Sequence, residues 1–251
     1  MLSSRHFAAR AALWACVSLA PPTLAAQATA GDGFMFGRPG GTLTLRAGFA
    51  RPSENSDLFS FVQHHLTIGN GAFSGGSFSA ELGFFLRDRL SLQLGTGYSS
   101  RTVGSVYRDW VDNNNAEIEQ SSSFKRLPIT LGLRYYLMPP GRALGTLAWI
   151  PARMAPYVAA GGGTTWYSFR QAGDFVDYQN LDVFNARLSS TAWGPTAYGA
   201  AGVDYSLSAR TGLVAEVRYD RGSAGLGSDF SGFHNIDLSG LSTTIGLTVR
   251  F

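Results

Sequence analysis

A hydrolase needs a nucleophile beside a positioned base, and this chain offers few bases. Beyond the N-terminal segment its histidines are His64, His65 and His234. His234 lies in Phe230-Ser231-Gly232-Phe233-His234-Asn235-Ile236-Asp237, and Ser231 and Asp237 make this the most triad-like grouping present. His64 and His65 are adjacent and face different directions, which does not suit a two-ligand metal clamp. Paired acids suggest a second chemistry. Arg108-Asp109-Trp110-Val111-Asp112 and Gly173-Asp174-Phe175-Val176-Asp177 share an Asp-aromatic-Val-Asp echo, and Asp229-Phe230 repeats part of it. Asn113, Asn114, Asn115, Glu117 and Glu119 add oxygens of the kind calcium takes, but the ligand spacing of a calcium loop is absent. Extended backbone puts the carboxylates of Asp-x-x-Asp on opposite faces, so only a turn would bring them together. The expectation is solvated acidic loops anchored by Trp110 and Phe175, with no catalytic, cofactor or metal site.

The elements that must position these groups are alternating strands. From Leu241 to Phe251 every odd position is apolar or Thr, and every even one is small, polar or charged. That period of two makes a strand with one greasy and one wet face. The same pattern recurs at Leu43–Phe49, Phe78–Leu86, Leu90–Leu94, Leu127–Leu137, Ala201–Leu207 and Leu213–Tyr219. Tyr157–Phe169, with Gly161-Gly162-Gly163, is a further strand whose facing the pattern leaves open. Each covers the nine to eleven or so residues that a tilted strand needs to cross a bilayer. Short and long connections alternate, except for Met138–Arg153, a turn-side link lengthened by Pro139-Pro140-Gly141. Eight strands and four long outer loops account for the length, and ten would need a hidden hairpin in one loop.

Composition agrees. There are 31 Gly and 45% hydrophobic residues, yet mean hydropathy is only +0.01. The apolar residues are spread in alternation, as in a membrane barrel. Arg5 and Arg10, the apolar run Ala11–Ala20 and small residues near Ala26-Gln27-Ala28 read as a signal peptide over 1–28. A short lead, 29–40, and a barrel domain, 41–251, follow. Cys16, the only cysteine, lies within the apolar run, so neither disulfides nor a lipid anchor at the cleavage site is expected. Removing Arg5 and Arg10 lowers the net charge from +3 to +1, and only Lys125 is a lysine. No basic stripe for nucleic acid is evident.

A closing strand that ends on Phe251, together with a signal peptide, resembles the small bacterial outer-membrane β-barrels, of the kind formed by the OmpA membrane domain, OmpX and OmpW. The resemblance covers about Gly41 to Phe251. It implies an all-β fold, a closed antiparallel transmembrane β-barrel of eight strands with long outer loops. It also implies Sec-type export, integral outer-membrane location, contact with outer-membrane lipids, a monomer, and Phe251 as the signal read by the barrel-assembly machinery. The implied role is non-enzymatic, structural or surface-interacting. One alternative is a porin-like carrier of small hydrophobic molecules, as OmpW-type barrels are thought to be. The other is a lipid-modifying enzyme centred on His234. The His-x-Ser strand pattern of lipid A deacylases and the carboxylate and His–Asp set of omptin proteases are both missing.

On the wet faces stand Arg46, Glu81, Gln93, Arg134, Asp204, Glu216, Arg218 and Arg250. An eight-stranded barrel is just wide enough for side chains to fill it. Arg–carboxylate pairing is therefore expected across the lumen, because an unpaired buried charge is costly. Tyr135, Tyr205 and Tyr219 fit an interfacial aromatic girdle. In the first outer loop, Pro52–Gly76, Ser56 is a fair N-cap. Leu58, Phe61, Val62 and His65 then share a helical face suited to the barrel mouth or the membrane interface.

Overall fold

The structure, a computed structural model, describes residues 33–112, 115–145, 147–177 and 182–251. The expected signal peptide over 1–28, and Asn113 and Asn114 of the acidic loop, lie outside these. Among the described residues the chain forms β1 (Met35–Phe36), β2 (Gly41–Pro52), α1 (Asp57–His65), β3 (Gly75–Phe85), β4 (Leu90–Val111) and β5 (Glu117–Tyr136). It continues with β6 (Gly141–Leu144), β7 (Ala148–Pro151), β8 (Met154–Val176), β9 (Val183–Ser206), β10 (Thr211–Ala224), a 3-10 turn at Ser228–Phe230, β11 (Ile236–Asp237) and β12 (Gly240–Arg250).

Antiparallel pairing runs β2-β3-β4-β5-β8-β9-β10-β12, and β12 returns to β2 with Leu45 opposite Leu247. Eight strands thus close a ring, with no free edge over the span of its shorter strands. No loop hides a ninth and tenth wall strand among the described residues; the two-residue β11 only pairs with the end of β10. The burial pattern is that of a transmembrane barrel. Ile245 is 70% exposed while its neighbour Thr244 is 8% exposed. Leu45, Phe78, Leu131, Val217 and Leu247 likewise point out, and Thr44, Arg46, Glu81, Arg134 and Glu216 point in. Only a lipid surround makes an apolar outside and a polar inside favourable.

The walls are unequal. β2, β3, β10 and β12 have 11 to 14 residues, but β4, β5, β8 and β9 have 20 to 24. The expected nine to eleven residues therefore hold for β3 and β12, are slightly exceeded by β2 and β10, and fail for the long wall. Above the membrane the outward residues of the long wall are mostly polar, among them Glu119, Ser121, Lys125, Arg170, Arg187, Ser189 and Thr191, so the apolar alternation stops while the hydrogen-bonded ladder continues. Asp109 and Trp110 accordingly lie in β4, and Asp174 and Phe175 in β8, rather than in loops.

β8, whose facing the sequence left open, turns Tyr157, Tyr167 and Phe169 inward, each at most 1% exposed. The connection 138–153 is more than a link. β6 and β7 form a hairpin, and β7 pairs with β1 from the N-terminal lead in a small sheet at the short-turn end. There Trp149 packs with Met35 and Ala209.

At the long-loop end the barrel mouth holds an apolar core. Leu58, Phe59 and Val62 of α1 meet Phe73, Phe124, Phe169, Phe230, Ile236 and Leu238. α1 therefore sits inside the mouth and not at the membrane interface. Its buried face is Leu58, Phe59, Val62, with Leu66 following, whereas Phe61 is 36% exposed and His65 half-buried. Phe59 and Phe61 compete for the core. Phe59 enters because Phe73, Phe124 and Phe169 ring it at 5.4 to 5.9 Å. Ser56 occupies the N-cap position, but its hydroxyl makes no capping bond; its carbonyl accepts from Ser60 instead.

Candidate functional site

The lumen at mid-barrel is crossed by charge. Arg46 projects from β2, Glu81 from β3, Arg134 from β5, Asp204 from β9 and Glu216 from β10, each at a wet-face position of its strand. Arg46 Nη2 lies 3.1 Å from Glu81 Oε2, and its Nη1 lies 3.2 Å from Glu216 Oε2. Arg134 donates to Glu81 and stands 3.6 Å from Glu216 and 4.0 Å from Asp204. No side chain of this set is more than 6% exposed. Each guanidinium is thus matched to more than one carboxylate, which offsets the desolvation of burying it.

Two phenols complete the set. Tyr136 donates to Asp204 at 2.9 Å and Tyr157 to Glu216 at 2.7 Å, while Arg134 stacks 4.0 Å from the Tyr157 ring centre. Glycines make the room. A Cβ on Gly202 would lie 2.5 Å from the Tyr157 hydroxyl, and one on Gly132 would run into that of Tyr198.

The other three wet-face residues stand apart from this cluster. Gln93 donates to Ser91 at 2.7 Å. Arg218 chelates Asp220 on its own strand at 2.8 Å and stacks on Tyr198 at 3.7 Å. Arg250 donates to Ser206 at 2.9 Å, near Trp149 at the short-turn end. Sequence reasoning overlooked Tyr136, Tyr198 and Arg126, and put Asp220 on the wet face of its strand without counting it in the lumen set. Tyr136 had a signal, since it alternates with the outward Tyr135.

Between the network and the mouth core a cavity of about 80 Å³ remains. Inward Arg126 and Arg218 line it, and so do Phe78 and Tyr98 of the wall beside it. The cause is local. Pro128 has no N–H to give the ladder, and β4–β5 pairing is interrupted between Thr96↔Ile129 and Ser99↔Arg126. Gly95 and Gly97 leave the wall bare beside the gap.

The acidic motifs stand at the tips of the long hairpins. Asp112 accepts from the Ala116 amide at 2.7 Å and closes its turn, and Asp174 accepts from Asn185 at 2.8 Å. The Asp177 amide donates to the Asp182 carbonyl. Phe175 is buried and stacks on Phe184, and Trp110 packs against the mouth core. Asp109 is exposed, close enough to His65 to act on its charge. Among the described residues no group of three acids, histidines or cysteines is placed to hold a metal ion.

The Ser231–His234–Asp237 grouping is not assembled. Both the amide and Nδ1 of His234 lie 2.8 Å from Asp57 Oδ2, and Asp237 accepts from the Asn55 and Ser239 amides. These bonds pin the fourth outer loop to the start of α1. The His234 backbone and ring hold the Asp57 carboxyl below its ordinary value. His65 is pushed down by burial and then by the charge of His64, against the pull of Asp109.

No family model and no curated protein matches the chain. Solved structures similar to it include the outer membrane protein OprG from Pseudomonas aeruginosa, at 18% identity and a TM-score of 0.46 over 86% of this chain and 99% of that one. Neisserial surface protein A is similar at 15% identity and a TM-score of 0.42, over 88% and 98%. A major outer membrane protein from Thermus thermophilus is similar at 11% identity and a TM-score of 0.43, over 84% and 99%. At such identities the likeness is one of fold.

Proposed function

We propose that this protein is a non-enzymatic integral barrel of the bacterial outer membrane, closed along its axis, whose role is structural or surface-interacting. The observation that carries this reading is the Arg46–Glu81–Arg134–Glu216 cluster, which spans the lumen at the height of the apolar belt. An aromatic plug above it and Trp149 below add two further closures. Export through the Sec route, insertion by the assembly machinery through Phe251 and a monomeric state belong to the same proposal. The His234–Asp57 pairing supports a loop-holding role for that histidine rather than a catalytic one. Planar-bilayer recordings test the closed lumen. The purified barrel should give no steady conductance, and stable single-channel steps would refute the reading.

The cavity at Pro128 favours a second reading, carriage of a small hydrophobic molecule through the wall. On that reading Pro128→Ala restores a ladder N–H and should slow uptake of a radiolabelled alkane or fatty acid into cells carrying the barrel. Equal uptake with the variant, or with no barrel at all, would dismiss it.

A further inference from the structure

The outer face of the long wall continues above the last lipid-facing rows. Trp166 and Trp193 are paired across β8 and β9, and Trp193 is 53% exposed. Tryptophan on a membrane barrel marks the headgroup level. Just above, Lys125 pairs with Ser168, Arg170 pairs with Ser123 and Ser189, and Arg187 pairs with Ala172. Lys125 and Arg170 are therefore diagonal neighbours, and so are Arg170 and Arg187. Such positions stand roughly 7–8 Å apart on a sheet face. Ser123, Ser168 and Ser189 fill the places between them, and two acids border the stripe: Asp174, diagonal to Arg187 but engaged by Asn185, and Asp229, which accepts from the Ser189 amide at 2.9 Å. None of the three cations has a carboxylate within 4.0 Å among the described residues, whereas Arg38, Arg46, Arg134 and Arg218 each do. Arg126 is satisfied differently, by donating to backbone carbonyls. Three like charges in a line repel one another, and a bound anion would relieve that.

We propose that Lys125, Arg170 and Arg187 form a stripe on the outside of the barrel that holds the phosphate groups of membrane lipid headgroups. The occupant follows from continuity. The same face touches lipid one or two rows lower, so what lies against this stripe is the headgroup layer of that leaflet. Guanidinium groups match phosphate oxygens in a bidentate fork, and Ser123 and Ser189, which unlike the buried Ser168 reach the surface, add hydroxyl donors. The inference rests on the transmembrane placement of the barrel and not on whether its lumen is closed.

Native mass spectrometry of the detergent-folded, full-length barrel, titrated with diphosphorylated lipid A and with the same lipid dephosphorylated, tests it. The wild type should retain the phosphorylated lipid preferentially. Each Gln substitution at Lys125, Arg170 or Arg187 should weaken retention about fivefold, and the triple variant on the order of a hundredfold. Arg142→Gln, on the small sheet at the other end, should leave it unchanged, and Arg170→Lys should retain most of it. The single variants, checked by heat-modifiable mobility, keep the test decisive if the triple variant fails to fold. Equal retention of the two lipids, or of wild type and folded variants, overturns the proposal. Displacement of the lipid by inorganic phosphate would assign the stripe to a soluble phosphorylated ligand and overturn the lipid assignment. A wild type that does not enter zwitterionic bilayers at all would instead refute the membrane placement beneath it.

Discussion

Tyr157 and Glu216 meet inside the lumen from strands that are not neighbours in the ring, the phenol donating to Oε2 at 2.7 Å. The same oxygen lies 3.2 Å from Arg46. Removing the phenol and removing the carboxylate therefore have different consequences. Tyr157→Phe loses one hydrogen bond to a charged group, about 2 kcal/mol. Glu216→Ala leaves a buried guanidinium short of a partner, which costs on the order of 3–5 kcal/mol. Arg108→Ala, at an exposed site, should stay within roughly 0.5 kcal/mol. Urea unfolding in detergent ranks the three, and equal small losses would mean that water screens the lumen.

The mouth core makes a second contrast, between two phenylalanines of one helix. Phe59 is fully buried and Phe61 is 36% exposed. Phe59→Ala should cost about 3–5 kcal/mol, while Phe61→Ala should cost well under half of that. Protease should also cut near α1 in the Phe59 variant first. If both variants resist protease like the wild type, the plug is not held by Phe59.

Asp57 supplies a pH dependence whose sign can be worked out. Its carboxyl is held below the ordinary value of 3.8, chiefly by the His234 amide and then by the ring. A depressed acid contributes docking energy that is fully present above the ordinary value and is lost as pH falls through the folded one. The fourth loop should thus remain pinned to α1 at neutral pH and loosen only below about 3.8. The amide shift of His234 in an NMR titration reports this, and Asp57→Asn should remove the step. A midpoint at or above the ordinary aspartate value would contradict the contact.

Gly202 yields a steric prediction. A Cβ there would lie 2.5 Å from the Tyr157 hydroxyl and 2.6 Å from the Ala215 carbonyl oxygen. Gly202→Ala should therefore destabilise the barrel by about 1–3 kcal/mol, as overpacking does. Pairing it with Tyr157→Ala, which removes both that hydroxyl and the Cζ that also lies 2.6 Å away, should recover part of the loss. Strict additivity of the two in unfolding experiments would show that the clash is with the backbone alone.

Period-two alternation was enough to place Leu45, Ile245 and Leu247 on the outside and Arg46, Glu81 and Arg134 on the inside, because each strand carries that information locally. Which charges approach one another depends on the stagger of the closed ring, and no single strand encodes it. Arg218 shows the difference: its nearest carboxylate is Asp220, two residues along its own strand. The length of the long wall was hidden for a different reason. Sequence reading followed the lipid contact, and lipid contact ends before the ladder does. α1 was legible as a helix, but the choice of Phe59 over Phe61 was made by Phe73, Phe124 and Phe169, which come from three other segments.

The mouth core is also tied to the seam that closes the ring. α1 and Phe73 come from the connection between β2 and β3, while Phe230, Ile236 and Leu238 come from the connection between β10 and β12. These two connections are brought together when β12 zips onto β2. Without that seam Phe230, Ile236 and Leu238 would be missing from the core around α1 and the barrel would be an open sheet. One seam thus seals the mouth and closes the wall together, and a barrel opened along it should admit solvent from above.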